Sequence, residues 1–152
     1  MEIETGFAFS EEFDHITEGD MTLSVTQKYG GDRVMLPFYY WDILVKNDCV
    51  GRISLRIGRN FHSYYNGNMG YEIFPEYRGN GYAGRACRLV FPAARYHGMK
   101  ELLLTCSEHN AASYRTIERL GAELVEIAEV PKEYFAWREG MERQRIYRVK
   151  LG

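Results

Sequence analysis

The stretch from Gly70 to Gly84 constrains the fold of this chain more than any other, because it joins a strand pattern to a helix start through glycines. It begins with alternating apolar residues, meets Pro75, and turns through Arg-Gly-Asn-Gly at 78–81. Such a turn is a natural phosphate site, since the first helical turn has unpaired N–H groups and a partial positive charge. The Gly-Lys-Ser/Thr of a P-loop does not follow these glycines. The pattern alone therefore indicates either a phosphate site or an ordinary turn.

A second motif lies downstream, where Asn110 begins Asn-Ala-Ala-Ser and Gly121 ends the same helical pattern. Together with Arg-Gly-Asn-Gly-Tyr-Ala at 78–83, it resembles the acyl-CoA-binding turn and the second helix of the GNAT N-acetyltransferase superfamily. The two motifs occur in the family's order, which makes the pair more specific than either motif alone. The resemblance covers the chain from about Val45 to Ile127 and is loose at both ends.

The resemblance implies a single domain over residues 1–152 with an α+β (α/β-like) fold. That fold has a mixed, mostly antiparallel twisted sheet, flanking helices, and a splay between two central parallel strands. The resemblance puts these strands at Gly70–Phe74 and Leu102–Cys106, each followed by a helix. The residues agree, because the second stretch is a continuous apolar run of the kind that buried strands carry.

The N-terminal region predicts only short elements. Residues Ile3–Phe9 alternate loosely, as a strand would. Ser10 begins a capped helix that Gly19 stops within about two turns. Leu23–Tyr29 then alternates as a second strand. The resembled family usually has two helices in this region, so this chain departs from the family pattern here.

The middle of the chain predicts a hairpin, a loop and a long helix. Met35–Lys46 and Val50–Ile57 read as antiparallel strands with one buried face. Asn60–Asn68 reads as a loop. The helix pattern runs over Gly81–His97, with small and apolar residues on one face and arginines on the other. Pro92 lies on the arginine side, where the carbonyl that it leaves unpaired can be solvated, so we expect a bend there.

The C-terminal region predicts one more helix and two more strands. Asn110 caps the helix, and Gly121 ends it. Glu123–Val130 and Gln144–Leu151 have strand patterns, and Pro131–Gly140 reads as an aromatic-bearing connection.

Composition narrows the partners of the protein. The formal net charge of −2 argues against nucleic acid, because phosphate neutralisation needs a basic surface. No apolar run approaches the ~20 residues that cross a bilayer, and the N-terminus lacks a secretory signal. Three cysteines and four histidines are scattered without metal-ligand spacing. We therefore expect no metal, no membrane partner, and a cytoplasmic protein with reduced thiols.

The resemblance assigns acetyl-CoA to a definite set of residues. Backbone N–H groups at the helix start would cradle its pyrophosphate, and Arg78 would either add charge or stay a solvated loop residue. The pantetheine arm would pair like an extra strand in the splay, where a backbone N–H near Ile73 or Phe74 would polarise the thioester carbonyl. Asn110 would either bond the arm or cap its helix. The expected cofactor-binding residues are Ile73, Phe74, Arg78, Gly79, Asn80, Gly81, Tyr82, Ala83, Gly84, Asn110 and Ser113.

Two residues are candidates for proton transfer. Glu72 is the carboxylate best placed to take a proton from the acceptor amine, directly or through water, unless it only lies on a solvated strand face. Many relatives protonate the leaving thiolate with a Tyr at the position that Ile117 holds here, so that acid is missing. Tyr114 lies one turn earlier and is either its substitute or a packing residue. Ile117 together with Ser113 resembles the ribosomal-protein and antibiotic branches of the superfamily.

Aromatic residues predict the acceptor pocket. We expect it between the hairpin residues Tyr39, Tyr40 and Trp41, the Tyr64-Tyr65 pair, and the segment from Tyr134 to Trp137. Such a pocket favours a small amphipathic amine or a peptide end. Ordinary core and dimer contacts would account for part of this set.

The sequence thus predicts an acyltransferase that moves acetyl from acetyl-CoA to a primary amine by direct attack in a ternary complex. The amine belongs to a small molecule or to a peptide N-terminus. Two alternatives stay open: a non-catalytic CoA-binding sensor that lost its acid, and a structural protein whose turn binds nothing. The oligomeric state also stays open, with a homodimer possible.

Overall fold

The computed structural model describes residues 7–152, in which eight strands and three α-helices form. The helices are α1 (Phe61–Asn66), α2 (Tyr82–Tyr96) and α3 (Ala111–Arg119). Single turns of 3-10 helix lie at Glu11–Phe13 and Pro75–Tyr77. The strands, in chain order, are β1 (His15–Glu18), β2 (Met21–Tyr29), β3 (Phe38–Val45), β4 (Asp48–Arg56), β5 (Met69–Ile73), β6 (Glu101–Ser107), β7 (Glu123–Ala128) and β8 (Gln144–Lys150).

Two antiparallel sheets carry the fold. Strands β1 to β5 form a five-stranded sheet in sequence order, and the second sheet has the order β6-β8-β7. Among the described residues each strand ladder is antiparallel, and no ladder joins β5 to β6. The predicted α+β class with a mostly antiparallel sheet is therefore confirmed. The sheets part between β5 and β6, where we expect the splay.

A buried asparagine joins the two sheets at one end of that gap. Asn68 has no exposed surface and precedes β5 directly. Its backbone N–H donates to the carbonyl of Leu103 at 2.6 Å, and its side-chain oxygen accepts from the Leu103 N–H at 2.9 Å. Its amide nitrogen donates to the carbonyls of Arg56 and Gly58 at 3.0 and 2.8 Å. Because β6 supplies Leu103, Asn68 ties the two sheets together at this end of the gap.

The core lies between the five-stranded sheet and α2. One face of β4 and β5, including Ile53, Leu55 and Met69, is buried. The helix covers this face with small and apolar residues, as the sequence predicts: Ala86, Val90, Ala93 and Ala94 are all buried. The helix continues as one element past Pro92, which is exposed. The burial pattern fixes which face of β5 meets α2 and which faces away.

The predicted hairpin is confirmed as β3 and β4. Lys46 and Asn47 form its turn, and both have positive φ, 51° and 71°. Two consecutive left-handed residues suit the right-handed twist of the flanking strands. The pair carries the alternation that we predict, with β3 buried at every second residue.

One predicted element near the N-terminus is wrong. The two-turn helix from Ser10 is replaced by one 3-10 turn and β1, and the Ser10 side chain makes no cap bond. β1 instead pairs with β2 through a turn at Gly19, which has φ 59°. Of the strand predicted from Ile3 to Phe9, residues 3–6 lie outside the described residues, and residues 7–9 form no strand.

The predicted loop at Asn60–Asn68 contains α1. Asn60 accepts from the Ser63 N–H at 2.7 Å, and the Ser63 hydroxyl accepts from the Asn60 N–H at 2.9 Å. This reciprocal capping box satisfies two N–H groups of a very short helix. The Asn-x-x-Ser spacing is therefore the local signal that our loop prediction overlooked.

Candidate functional site

A cleft of about 610 Å³ opens between the end of β5, the glycine turn and the start of α3. It brings together most of the residues that the sequence predicts for the site. Phe74 and Tyr114 do not line it. The lining residues are Tyr71, Glu72, Ile73, Tyr77, Arg78, Gly79, Asn80, Gly81, Tyr82, Ala83, Gly84, Asn110, Ala112, Ser113, Arg115, Thr116 and Arg119.

The glycine turn holds a left-handed backbone without crowding. Gly79 has φ 87° and Gly81 φ 73°, and a Cβ added at either would meet nothing within 4 Å. Glycine is therefore favoured there by conformation, not by a lack of space. Arg78 ties the turn to β5, because its Nε donates to the Ile73 carbonyl at 2.9 Å. The Asn80 amide donates to the Tyr77 carbonyl at 2.9 Å and closes the turn on itself.

The N-terminus of α2 faces the cleft with its amides available. The first backbone bond at this end runs from the Arg85 N–H to the Gly81 carbonyl, at 3.2 Å. Within residues 7–152 no backbone carbonyl accepts from the N–H groups of 79–84, as expected for a first helical turn. Gly81 is the N-cap and provides no side-chain bond. These amides and the helix dipole therefore favour an anion.

The arginines of α2 point to protein partners. Arg85 forms an ion pair with Asp20 at 2.7 Å, and this bond holds the pKa of that carboxyl below its ordinary value. Arg88 donates to the carbonyl of Arg119 at 2.9 Å. The guanidinium groups of Arg78, Arg85 and Arg88 thus all bond protein acceptors, whereas the backbone N–H groups of 79–84 have no backbone acceptor within residues 7–152.

The outer edge of β5 is open toward the gap. The Phe74 N–H donates to the Val50 carbonyl at 2.9 Å and is therefore engaged with β4. Hydrogen bonding alternates along an antiparallel strand, so the N–H groups of Ile73 and Tyr71 point away from β4. Because β5 ends its sheet, they face the cleft. Of the two amides that the sequence nominates, only that of Ile73 is open.

Glu72 lies on the face of β5 opposite to α2. It pairs across the sheet with Arg52, is exposed, and lines the cleft. Arg52 also lies 3.7 Å from Asp42 and 5.7 Å from the centre of the Phe74 ring. The strand alternation therefore separates Glu72 from the side chains of Tyr71 and Ile73.

The opposite wall of the cleft is the first turn of α3. Asn110 caps this helix as predicted, and its side-chain oxygen accepts from the Ser113 N–H at 3.2 Å. The Ser113 hydroxyl lies 3.0 Å from that of Tyr71, which also donates to the Ser113 carbonyl at 3.3 Å. Burial raises the pKa of Tyr71 to about 12. Our sequence reasoning missed Tyr71, because its partner lies 42 residues away.

Tyr114, the acid that the sequence nominates, does not line the cleft, and neither does Ile117. Ile117 is fully buried in the core. The guanidinium carbon of Arg145 lies 4.1 Å from the centre of the Tyr114 ring. Tyr114 also packs against the hydrophobic core. Tyr114 is thus in contact with β8 and not part of the cleft lining.

The aromatic residues form two clusters instead of one pocket. Tyr39 and Trp41 have no exposed surface and stack with ring centres 5.2 Å apart. The Tyr39 hydroxyl is hydrogen-bonded to His97. Tyr65 and Tyr134 belong to the second cluster, where their rings contact each other. The expected acceptor pocket is wrong for Tyr39 and Trp41, because their strand positions face α2 and the core.

Metal and membrane features are absent from the described part of the chain. Residues 7–152 contain no group of three His, Cys, Asp or Glu side chains arranged as metal ligands would be. None of the helices described is both long and apolar enough to cross a membrane.

Comparisons with known proteins agree with this geometry. The sequence model of the acetyltransferase (GNAT) domain matches residues 10–123. No curated protein sequence matches the chain. Among solved structures, the microcin C7 self-immunity acetyltransferase MccE, in complex with acetyl-CoA and AMP, superposes with a TM-score of 0.58 at 20% identity. The match covers 74% of this chain and 61% of that one.

Two further structures have similar folds. The apo structure of RimL, a ribosomal L7/L12 alpha-N-protein acetyltransferase, gives a TM-score of 0.59 at 17% identity over 74% of this chain and 60% of that one. A GNAT-family acetyltransferase from Bacillus anthracis gives 0.56 at 18% identity, over 74% and 66%. The chain thus spans less than two thirds of the length of these proteins. Because the domain model matches well over half of the chain, the protein belongs to the GNAT acetyltransferase domain family.

Proposed function

We propose that this protein is an N-acetyltransferase that moves acetyl from acetyl-CoA to a primary amine by direct attack in a ternary complex. The acceptor is a small molecule or a peptide N-terminus. One observation carries the proposal: a single cleft connects the open N-terminus of α2, the open edge of β5 and the carboxylate of Glu72. A cytoplasmic location belongs to the same proposal, which leaves the oligomeric state open.

The start of α2 fits a pyrophosphate. The amides of residues 79–84 lack backbone acceptors in the described chain, and the left-handed glycines keep side chains away from them. Arg78 adds a positive charge at the same wall, with its Nε fixed on the Ile73 carbonyl. We assign phosphate binding mainly to the backbone, because helix N-termini bind anions without special side chains.

The open edge of β5 fits the extended arm of the substrate. Tyr71 and Ile73 direct backbone groups toward the gap, and Asn110 and Ser113 form the facing wall. An amide aimed at a developing negative charge stabilises it. We assign this role to the Ile73 N–H, since the Phe74 N–H is bonded to Val50.

Glu72 is the proposed base. The amine must lose a proton because an ammonium has no lone pair with which to attack. Glu72 accepts that proton directly or through water while the nitrogen bonds to the thioester carbon. The carbon–sulfur bond then breaks, and its electron pair leaves on sulfur. Glu72 is exposed on its strand face and borders the cleft, as this role requires.

The leaving thiolate has two candidate donors. Tyr114 is the candidate from the sequence, and this role needs its hydroxyl to reach the cleft. Tyr71, which lines the cleft, is the alternative. The two are separable by single Phe substitutions.

A CoA-binding sensor without activity is the second candidate function. The buried Ile117 favours it, because no donor occupies that helix position. The test is release of free thiol from acetyl-CoA with spermidine, tyramine, kanamycin and a tetrapeptide with a free N-terminus. Amine-dependent release supports the transferase. A melting shift with acetyl-CoA but no release with any of these amines supports the sensor, and neither signal rejects both.

A further inference from the structure

Three hydroxyl-bearing residues, Tyr71, Ser113 and Thr116, lie where β5 and α3 both border the cleft. The Tyr71 hydroxyl is 3.0 Å from Ser113 Oγ and donates to the Ser113 carbonyl at 3.3 Å. Thr116 lies on the same helix, and its hydroxyl donates to the Ala112 carbonyl at 3.0 Å. All three residues line the cleft. β5 and α3 thus meet here through hydroxyls.

This cluster lies where a sulfur atom would depart. Tyr71 is two residues before Ile73 on β5, and both residues line the cleft. Tyr71 and Glu72 are adjacent on β5 and therefore point to opposite faces. A thioester held at this edge would meet the amine on the Glu72 side and direct its sulfur to the Tyr71 side.

We propose that the Tyr71 hydroxyl, oriented by Ser113, donates the hydrogen bond that stabilises the departing thiolate. This inference rests on the proposed transferase function. As the carbon–sulfur bond breaks, the electron pair stays on sulfur and the Tyr71 O–H turns from Ser113 toward it. Glu72 holds the proton from the amine, and the thiolate takes its own proton later from solvent. Tyr71 is a catalytic residue in this scheme, and Ser113 is a positioning residue.

The state of Tyr71 agrees with a donor role. Burial raises its pKa to about 12, so the hydroxyl keeps its proton through neutral and moderately alkaline pH. A group this weakly acidic gives a hydrogen bond more readily than a proton. The activity should therefore show no alkaline loss from Tyr71 between pH 7 and pH 10.

The test compares two leaving groups in Tyr71→Phe. With acetyl-CoA, kcat should fall at least about tenfold, since a single donor to a developing anion contributes up to 10²–10³-fold. The KM for acetyl-CoA should change little, because the phosphate turn is untouched. With the selenium analogue of acetyl-CoA the loss should be much smaller, since a selenolate is a better leaving group and needs less stabilisation. The matched control is Tyr147→Phe, which removes a hydroxyl bonded to Glu118 outside the cleft.

The outcomes distinguish a failure of this inference from a failure of the proposed transferase function. No thiol release by the wild-type protein with any amine of the panel overturns both. Wild-type activity with a silent Tyr71→Phe overturns this inference alone, and so does an equal loss with the sulfur and selenium donors. Ser113→Ala gives the same comparison if Tyr71→Phe does not melt cooperatively. It should show a smaller loss with the same dependence on the leaving group.

Discussion

The two ends of the gap between β5 and β6 are built in opposite ways. At the closed end, Asn68 uses its backbone N–H and both polar atoms of its side chain in short bonds to Leu103, Arg56 and Gly58. At the open end, the β5 edge beyond Asn68 meets no strand, and the amides of residues 79–84 have no backbone acceptor in the described chain. One end is fully bonded, whereas the other keeps its donors available.

The difference shows how a small fold separates stability from binding. A buried polar group is stable only when it is hydrogen-bonded, so the closed end can hold two sheets together with few residues. Backbone N–H groups without a protein acceptor cost little free energy where water can reach them. At a helix N-terminus they favour the binding of an anionic ligand. Changes at the closed end should therefore affect unfolding, and changes at the open end should affect ligand binding and turnover.

Asn68→Ala should have the largest effect. It leaves the Leu103 N–H and the carbonyls of Arg56 and Gly58 without their partner. We expect a loss of at least about 3 kcal/mol in the free energy of unfolding, measured in urea, since each buried unsatisfied group costs ~1–3 kcal/mol. The matched variant is Asn110→Ala at the open end, which loses an exposed cap worth ~1 kcal/mol. Equal costs would contradict the contrast between the two ends.

Gly81→Val should abolish ligand binding at the open end. At a hundred times its dissociation constant, acetyl-CoA should stabilise the wild-type protein by ~2.7 kcal/mol, or roughly 5–11 °C in melting temperature. A Val side chain at the N-cap would stand between the amides and a phosphate.

Gly140→Val is the control for backbone strain. Gly140 has φ 78°, close to the 73° of Gly81, and a Cβ there also meets nothing within 4 Å. Both variants should lose similar stability without ligand, but only Gly140→Val should keep the melting shift. A shift that survives in Gly81→Val would remove the turn from the binding site.

Glu72→Gln should lower turnover most near neutral pH. The loss should recover partly at high pH, where the free amine forms without a base. Thiol release measured across pH checks this, with Glu76→Gln as the control because Glu76 is exposed beyond the end of β5. A loss of the same size at every pH would point to acceptor binding instead of proton transfer.

Tyr114→Phe should have the smallest effect on turnover. Arg145 lies over its ring, and the residue does not line the cleft, so we expect less than about a threefold loss of kcat, well below the ~10²–10⁴ of general-acid catalysis. A loss of tenfold or more with the acetyl-CoA melting shift intact would return the donor role to Tyr114. The same thiol-release assay serves both tyrosines.

Much of the open end could be predicted from the sequence, because its signals are local. The glycines at 79 and 81, the Asn110 cap and the amphipathic pattern of α2 each act within a few residues. Only the resemblance to the GNAT superfamily related these three features to acyl-CoA binding. The resemblance could not decide whether the Ile73 N–H or the Phe74 N–H is open to a ligand. That depends on which N–H groups of β5 bond to β4.

The closed end and the hydroxyl cluster could not be predicted in this way. Asn68 meets Leu103 across 35 residues, and Tyr71 meets Ser113 across 42, so no local pattern marks either pair. Tyr39 and Trp41 misled the prediction for a related reason. Their aromatic character suits a pocket as well as a core, and only the packing of α2 on β3 and β4 decides between them.

Hydrogen–deuterium exchange with and without acetyl-CoA tests the central claim most directly. We predict that saturating acetyl-CoA slows exchange at the amides of Tyr71, Ile73 and residues 79–84. The amides of Asn68 and Leu103, already bonded to each other's residues, should exchange slowly in both states. If millimolar acetyl-CoA leaves the exchange at Ile73 and residues 79–84 unchanged, the open end does not bind this substrate and the account is wrong.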